Sequence, residues 1–477
     1  MTPRLIPLLI AVLLATAAAQ PDPLGAWRGA LGPGVIDLEI RVTIAADEAG
    51  TGFAGTIDIP AQGLFDFALG DVVLEGSDIA FVMPGVPGDP AFAGTLEGDR
   101  IEGTFTQGGQ PLPFVLERDA EPVALRPQEP QPPFPYLEEE VTFASGDVTL
   151  AGTLTLPPGD ARVPALLLIT GSGPQDRNEE IVGHKPFLVI ADHLTRAGYA
   201  VLRVDDRGVG GSTGSDGEAT YQDLAGDVGA AIDLLKAHPR IDADAIGLFG
   251  HSQGGFLAPF VATERDDVAF VVLMAGPAVD GFSVLLVQNE LLIDRALRAL
   301  EPPMSDEEIE ASIANQVAFV TELRDLLAAE DLEGARALVR TRIETEIAAA
   351  PEEQRPPADQ LEALVAAQSD GVTAPVFRSF LLFDPQPYLR RLTVPTLAFF
   401  GSLDLQVDAA QSEGPMREAL AAAGNDDATV ITFEGLNHLM QPATTGLVDE
   451  YAAIPTTIDS IVLQTVGDWL QARFPAP

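Results

Sequence analysis

The stretch Ile246-Gly247-Leu248-Phe249-Gly250-His251-Ser252-Gln253-Gly254-Gly255-Phe256-Leu257-Ala258-Pro259-Phe260-Val261-Ala262 decides how the rest of the chain is read. Ile246 to Phe249 is a short apolar run of the kind that forms a buried strand, and Phe256 to Ala262 continues as a helix. Between them, Gly250-His251-Ser252-Gln253-Gly254 matches the pattern G-x-S-x-G. Alone the pattern is common. Set between a strand and a helix it demands a sharp turn at Ser252, and the flanking glycines let backbone and helix approach closely. Such a turn lifts a serine hydroxyl above a sheet and aims a helix N-terminus at any negative charge developing beside it.

Outward from this turn the apolar runs are continuous rather than alternating: Ala165 to Ile169, Ala200 to Val204, Ala245 to Phe249, Phe270 to Met274 and Thr396 to Phe400. Helical stretches such as Pro186 to Arg196 and Tyr221 to Ala237 separate most of them. Strands buried on both faces and alternating with helices predict a mostly parallel sheet. Val141 to Phe143 and Thr149 to Leu156 read as an antiparallel pair ahead of it. Between about Phe282 and Pro385 the alternation stops and four helical segments follow one another. Ser305 with Glu308 makes a capping box, followed by an apolar stripe of Ile309, Ile313, Val317, Val320, Leu323 and Leu327. The expected architecture is an α/β-hydrolase fold, with core residues 137–282 and 386–477. Residues 283–385 are expected to form a helical cap over the strand ends, where such sheets bind ligands.

A serine hydroxyl is a poor nucleophile until a base takes its proton. Of the five histidines (His184, His193, His238, His251 and His438), only His438 lies downstream of Ser252, as the order nucleophile, acid, base requires. It follows the strand Thr429 to Phe433, on the loop Gly435-Leu436-Asn437-His438. His193 and His238 read as surface or packing residues, His251 as packed beneath the turn, and His184 as a loop residue that could line a pocket. The acid that orients His438 belongs after the strand Thr396 to Phe400, where Asp404 is preferred and Asp408 reads as a helix cap. Two backbone N–H groups should hold the oxyanion: that of Gln253, and that of Ser172 in Thr170-Gly171-Ser172-Gly173-Pro174, with Gly173 the near alternative. Asp205-Asp206-Arg207-Gly208-Val209-Gly210-Gly211-Ser212 imitates a dinucleotide fingerprint. It lacks the last glycine, and its helix opens only near Tyr221, so it reads as a loop shaped by Arg207. No cofactor and no metal site are expected.

The remaining chain is of a different kind. Residues 20–120 carry short strands; Ile36, Leu38, Ile40, Val42 and Ile44 alternate with polar residues, and runs follow at Thr56 to Ile59, Val72 to Leu74, Ile79 to Val82, Ala91 to Leu96, Ile101 to Phe105 and Leu112 to Leu116. With Gly and Asp between them they predict a small all-β barrel or sandwich. Six prolines between Glu121 and Pro135 predict an extended linker over residues 121–136. Residues 1–19, with Arg4, the apolar run Leu5 to Leu14 and Ala17-Ala18-Ala19, read as a cleaved signal peptide and so predict a secreted or periplasmic protein. The run is too short to span a membrane. With 71 Asp and Glu against 27 Lys and Arg, the net charge of −44 repels phosphate backbones and argues against nucleic-acid binding. The absence of cysteine excludes disulfides, thiolate metal sites and a cysteine nucleophile.

Gly171-Ser172-Gly173-Pro174-Gln175-Asp176-Arg177, Asp206-Arg207-Gly208-Val209-Gly210, Gly250-His251-Ser252-Gln253-Gly254-Gly255, Asp404-Leu405-Gln406-Val407 and Asn437-His438 together resemble the EstD-type bacterial esterases, within the superfamily often labelled serine aminopeptidase-like. The resemblance runs from about Leu137 to the C-terminus. The β region, with Trp27-Arg28-Gly29 and Ile101-Glu102-Gly103-Thr104-Phe105, is similar to one found ahead of such esterases. It implies hydrolysis of small-molecule carboxylic esters through Ser252, Asp404 and His438. Thr170 stands where many relatives carry histidine. An amidase or aminopeptidase would use the same three residues, and a non-catalytic surface binding protein would rest on the β region instead. Neither the ester preferred nor the oligomeric state is legible.

Overall fold

The computed structural model describes residues 23–33, 38–46, 52–59, 62, 64–118, 126–300, 303–349 and 355–477. The proposed signal peptide, Ile36 and the start of the proline-rich stretch lie outside these residues. The chain divides into two compact units, Met1–Val123 and Ala124–Pro477, so the division falls inside that stretch.

The first unit is one antiparallel sheet of nine strands: β1 (Gly25–Leu31), β2 (Leu38–Ala46), β3 (Phe53–Ile59), β4 (Leu64–Ala68), β5 (Gly70–Glu75), β6 (Asp78–Val82), β7 (Ala91–Glu97), β8 (Arg100–Gln107) and β9 (Gln110–Arg118). Their order is β4-β3-β2-β1-β9-β8-β7-β6-β5, and β3 touches β5, so the sheet curls nearly shut into a barrel rather than a sandwich. Trp27, Ile40, Val42, Phe81, Phe92, Ile101 and Phe114 fill it, each essentially buried. The alternation of β2 works as read: Ile40, Val42 and Ile44 point inward. Two strands escaped the sequence reading. β1 carries Gly29 in the middle of its short apolar pattern, and β4 is only five residues long.

The second unit is an eight-stranded sheet: β10 (Leu137–Ser145), β11 (Val148–Leu156), β12 (Val163–Ile169), β13 (Ala200–Val204), β14 (Ile241–His251), β15 (Phe270–Met274), β16 (Thr396–Gly401) and β17 (Ala428–Phe433), in the order β10-β11-β13-β12-β14-β15-β16-β17. β10, β11 and β13 pair antiparallel; from β13 through β17 every pairing is parallel. The connecting helices are α1 (Pro186–Arg196), α2 (Tyr221–Ala237) and α3 (Gly254–Glu264), with α10 (Ala409–Ala422), α11 (Val448–Tyr451) and α12 (Ser460–Arg473) after the insertion. β12, β15 and β16 have no exposed residue, which is why they appear in the sequence as unbroken apolar runs.

The insertion between β15 and β16 holds α4 (Gly281–Arg298), α5 (Asp306–Ala328), α6 (Leu332–Ala349), α7 (Ala358–Thr373), α8 (Pro375–Leu382) and the single turn α9 (Gln386–Leu389). The expected four segments are therefore five helices and a turn, because Pro375 starts a new helix directly after α7. Ser305 and Glu308 do form the capping box, and Ile309, Val320, Leu323 and Leu327 of the stripe are buried. The return limb packs on the first turn of α3: the rings of Phe380 and Phe383 lie 5.9 and 5.2 Å from that of Phe256. That turn lies just after Ser252, which ties the insertion to the turn at Ser252.

The described part of the proline-rich stretch is docked rather than free. Gln128 accepts from the N–H groups of Thr457 and Ile458 and donates to the Ile458 carbonyl. Arg126 donates to the carbonyls of Val182, Gly183 and Ile454. Proline supplies no N–H for a ladder, and side-chain hydrogen bonds fasten the segment instead.

Candidate active site

β14 ends at His251, and the backbone turns at Ser252 with φ of +52° before α3 begins. A left-handed serine is strained, and the surroundings must hold it. They do so by contact: a Cβ on Gly250 would stand 2.2 Å from the Gly254 carbonyl oxygen, and one on Gly254 would stand 2.3 Å from that of Ile169. Only glycine fits at either place. The Ser252 N–H is fixed to the Met274 carbonyl at 3.0 Å. Gln253 opens α3 with helical backbone angles, so its N–H is among the unpartnered donors of a helix N-terminus.

His438 and Asp404 meet. His438 Nδ1 lies 2.8 Å from Asp404 Oδ2, with both residues almost wholly buried. The other carboxylate oxygen of Asp404 accepts the N–H groups of Gln406 and Val407 at 2.8 and 2.9 Å, which fixes its orientation. Asp408 is instead the N-cap of α10, accepting from the Gln411 N–H at 2.9 Å. The loops bearing acid and histidine are stitched together by Leu403 N–H to the Leu436 carbonyl and Gly435 N–H to the Ser402 hydroxyl. Asn437 shapes the turn itself, its Oδ1 accepting from the N–H groups of Leu439 and Gln441. Ser252 joins this group through its neighbour. The His251 ring is 4.8 Å from the His438 ring, and His251 Nε2 lies 3.2 Å from the His438 carbonyl oxygen.

A glycine-lined turn that holds a left-handed serine at the end of a central parallel strand, with an acid–histidine pair on the loops after β16 and β17, is a specific combination. The second unit has the α/β-hydrolase fold. Comparison with known proteins agrees: the serine aminopeptidase family, S33, matches residues 185–321. Esterase EstD of Thermotoga maritima is 28% identical over 308 residues, 64% of this chain and 62% of that protein. The chain thus spans less than two thirds of that relative's length, and the resemblance to EstD-type esterases stands. Among solved structures, an esterase of Pyrococcus furiosus aligns over 71% of this chain and 92% of its own, at 15% identity and a TM-score of 0.41. An esterase of Exiguobacterium antarcticum aligns over 63% and 93%, at 17% and 0.36.

The remaining sequence-selected residues of this α/β-hydrolase unit fall as follows. In the loop after β12, the Gly171 N–H is taken by Glu179 Oε1 at 2.7 Å, and Gly173 has φ of +85°. His184 is not a pocket residue. It is fully buried between the Tyr451 carbonyl and the Thr457 hydroxyl, and burial, with Arg126 nearby, pulls its pKa down to about 4. His193 is on α1, where burial lowers its pKa, and His238 caps α2 beside Glu139. Arg207 pins its loop to α2 through two bonds to the Asp227 carboxylate at 2.6 and 2.8 Å. Among the described residues no cluster of His, Asp and Glu could hold a metal ion, and no helix is long and apolar enough to cross a membrane.

Two residues near the site carried no usable signal in the sequence. Glu179 sits in Asn178-Glu179-Glu180, which reads as a solvated charge run, yet it has no exposed surface at all. Asp206 was read as part of a shaped loop, and its carboxylate accepts from the Thr170 hydroxyl and the Gln175 N–H at 2.8 and 2.9 Å. It borders a cavity of about 60 Å³ that also meets Gly171, Gln253 and Leu257. Burial pushes Asp206 up to about 8; Asp216 and Glu179 add to this, against the bonds from Gln175 and Thr170.

That shift has a sign. The unfolded carboxyl loses its proton near pH ~4, whereas the folded one keeps it until about 8. Between these limits the folded state holds more protons, so this group erodes stability as pH rises. Asp206→Asn mimics the protonated acid. Its unfolding free energy, followed by urea titration from pH 5 to 9, is expected to fall less steeply with pH than that of the wild type. Parallel slopes would show that Asp206 is ionised throughout.

Proposed function

We propose that the chain is a serine hydrolase of carboxylic esters working through an acyl-enzyme. The hydrogen bond between Asp404 and His438, beside a strained Ser252, carries this reading. Ser252 Oγ attacks the ester carbonyl while His438 Nε2 takes its proton. The proton then passes to the departing alkoxide, and water, activated by the same histidine, releases the acid. Asp404, accepting at Nδ1, keeps the tautomer that leaves Nε2 free as a base and stabilises the imidazolium. The N–H groups of Gln253 and Ser172 receive the oxyanion. The Gly171 N–H is committed to Glu179, which leaves the N–H of Ser172 as the second donor, with that of Gly173 the near alternative.

The match to the serine aminopeptidase family supports a second reading, cleavage of aminoacyl amides by the same residues. Assay of the purified protein on a panel of 4-nitrophenyl esters and aminoacyl anilides separates the two. Ester turnover at least tenfold above anilide turnover is expected; the reverse would transfer the assignment. Export belongs to the same reading, and N-terminal sequencing of the secreted or periplasmic protein should begin at Gln20.

The insertion is assigned the acyl-binding roof. Leu286 and Leu291 of α4 are half-buried yet join none of the apolar clusters formed by the described residues, leaving them available to a ligand. Alanine at either is expected to shift the preferred acyl length while leaving kcat on the shortest ester within about threefold, since one or two methylenes of contact change specificity by about 10- to 200-fold. A flat length profile in both variants would remove the insertion from substrate binding.

A further inference from the structure

The carboxylate of Glu179 does more than neutralise a neighbour. Its Oε1 accepts the Gly171 N–H at 2.7 Å and lies 2.8 Å from His251 Nδ1, while His251 Nε2 reaches the His438 carbonyl oxygen at 3.2 Å. One buried pair therefore touches three of the four loops of the site: the loop after β12, the nucleophile turn and the histidine loop. Both side chains are almost fully withdrawn from solvent, at 0% and 1% exposed. Burial works against the charged imidazolium, but Glu179, the His438 carbonyl and Asp404 together outweigh it, and the pKa of His251 is raised overall. Glu179 Oε2 has no hydrogen-bond partner among the described residues.

Such an arrangement is costly. Desolvating two charges gains little net stability over an apolar pair, whereas removing one partner leaves the other buried and unpaired. The backbone is also strained, since Glu179 has φ of +54° and Val182 φ of +51°. Strain of this kind persists only where the surroundings over-determine it, and it gathers at functional sites. Here the surroundings are visible: the Glu179 N–H bonds the Asp176 carbonyl, Ile181 and His184 bridge each other, and Arg126 holds the carbonyls of Val182 and Gly183.

We propose that the Glu179–His251 pair is the positioning element that sets these three loops in register, so that Glu179 governs turnover without touching substrate. By fixing the Gly171 N–H it orients the peptide that follows, and hence the Ser172 N–H toward the oxyanion. By fixing the His251 ring it holds the backbone of His438. The inference rests on the roles proposed above for Ser252 and His438.

The test is a double-mutant cycle of Glu179→Leu, which removes the oxygen that both Gly171 and His251 use, and His251→Asn, assayed on a 4-nitrophenyl ester and normalised to sites titrated with a fluorophosphonate. A misplacement of about 1 Å can cost about 100-fold in rate. Each single variant is expected to lose about 10- to 100-fold in kcat per titrated site, with KM within about threefold. The double variant should be no slower than the slower single, because both break one link. A purely structural pair would change the melting temperature and the fraction of titratable protein, not kcat per site. The proposal is overturned if folded Glu179→Leu keeps kcat within twofold of wild type, or if the two losses multiply. If Glu179→Leu does not fold, His251→Asn alone decides by the same split between kcat and KM. A wild-type protein that neither hydrolyses esters nor labels at Ser252 would overturn the hydrolase assignment first, and this inference with it.

Discussion

Replacing Ser252 with alanine is expected to lower kcat by about four to six orders of magnitude while leaving the fold intact, and His438→Ala should do the same. Each removes an indispensable member of a unit that fails as a whole, so their losses do not add. What survives is the modest acceleration from oxyanion donors and binding alone. The protein should stay folded because Ser252 contributes no more to its surroundings than a small side chain on a strained turn, and the turn is held by Gly250 and Gly254 against neighbouring backbone. Alanine at φ of +52° is strained to the same degree as serine. The measurement is kcat on an activated ester, with circular dichroism and a thermal midpoint on each variant. A folded Ser252→Ala protein retaining a tenth of the wild-type rate would remove Ser252 from the mechanism.

The second large effect separates two aspartates four residues apart. Asp404→Asn is expected to lower kcat by about 10⁴ with little change in thermal midpoint. The asparagine carbonyl can still accept the N–H groups of Gln406 and Val407, so the loop keeps its shape. Its NH₂ then faces His438 Nδ1, where it can only donate. The histidine must present a lone pair there and carry its proton on Nε2, the wrong tautomer for a base. Asp408→Ala should behave in the opposite way. It loses the cap on the Gln411 N–H, a matter of about 1 kcal/mol, or roughly 1–2 °C in midpoint for a unit of this size, and should leave kcat alone. Measuring rate and midpoint on both variants decides the roles. Loss of rate in Asp408→Ala would put the acid in the wrong loop position.

Much of this site is legible because the chemistry is written in local patterns. The turn at Ser252 needs glycine two residues to either side, and the buried strand before it needs an unbroken apolar run. Both are visible in Gly247 to Gly254 without any tertiary information. His438 emerges by elimination from five histidines, and Asp404 from its distance past the strand-ending glycine. The proline-rich stretch reads differently in the two views. Its composition speaks only of backbone stiffness, whereas Gln128 and Arg126 dock it through carbonyls and N–H groups that lie some fifty to three hundred residues away along the chain.

The sequence alone determined the alternation of strands and helices, the β region ahead of it, the sharp turn at Ser252 and the chain order of Ser252, Asp404 and His438. These depend on periodicity and on residue types that few backbone conformations tolerate, and both act over short distances. Only the tertiary structure decided that the leading sheet curls nearly shut, that β1 and β4 belong to it, and that His184 supports rather than lines the site. It alone decided that Glu179, indistinguishable in the sequence from the solvated Glu180 beside it, is buried against Gly171 and His251. A carboxylate's environment is set by whatever the remote chain brings against it. Whether a charge is exposed or buried, paired or strained, is therefore a property of the fold and not of the residues next to it.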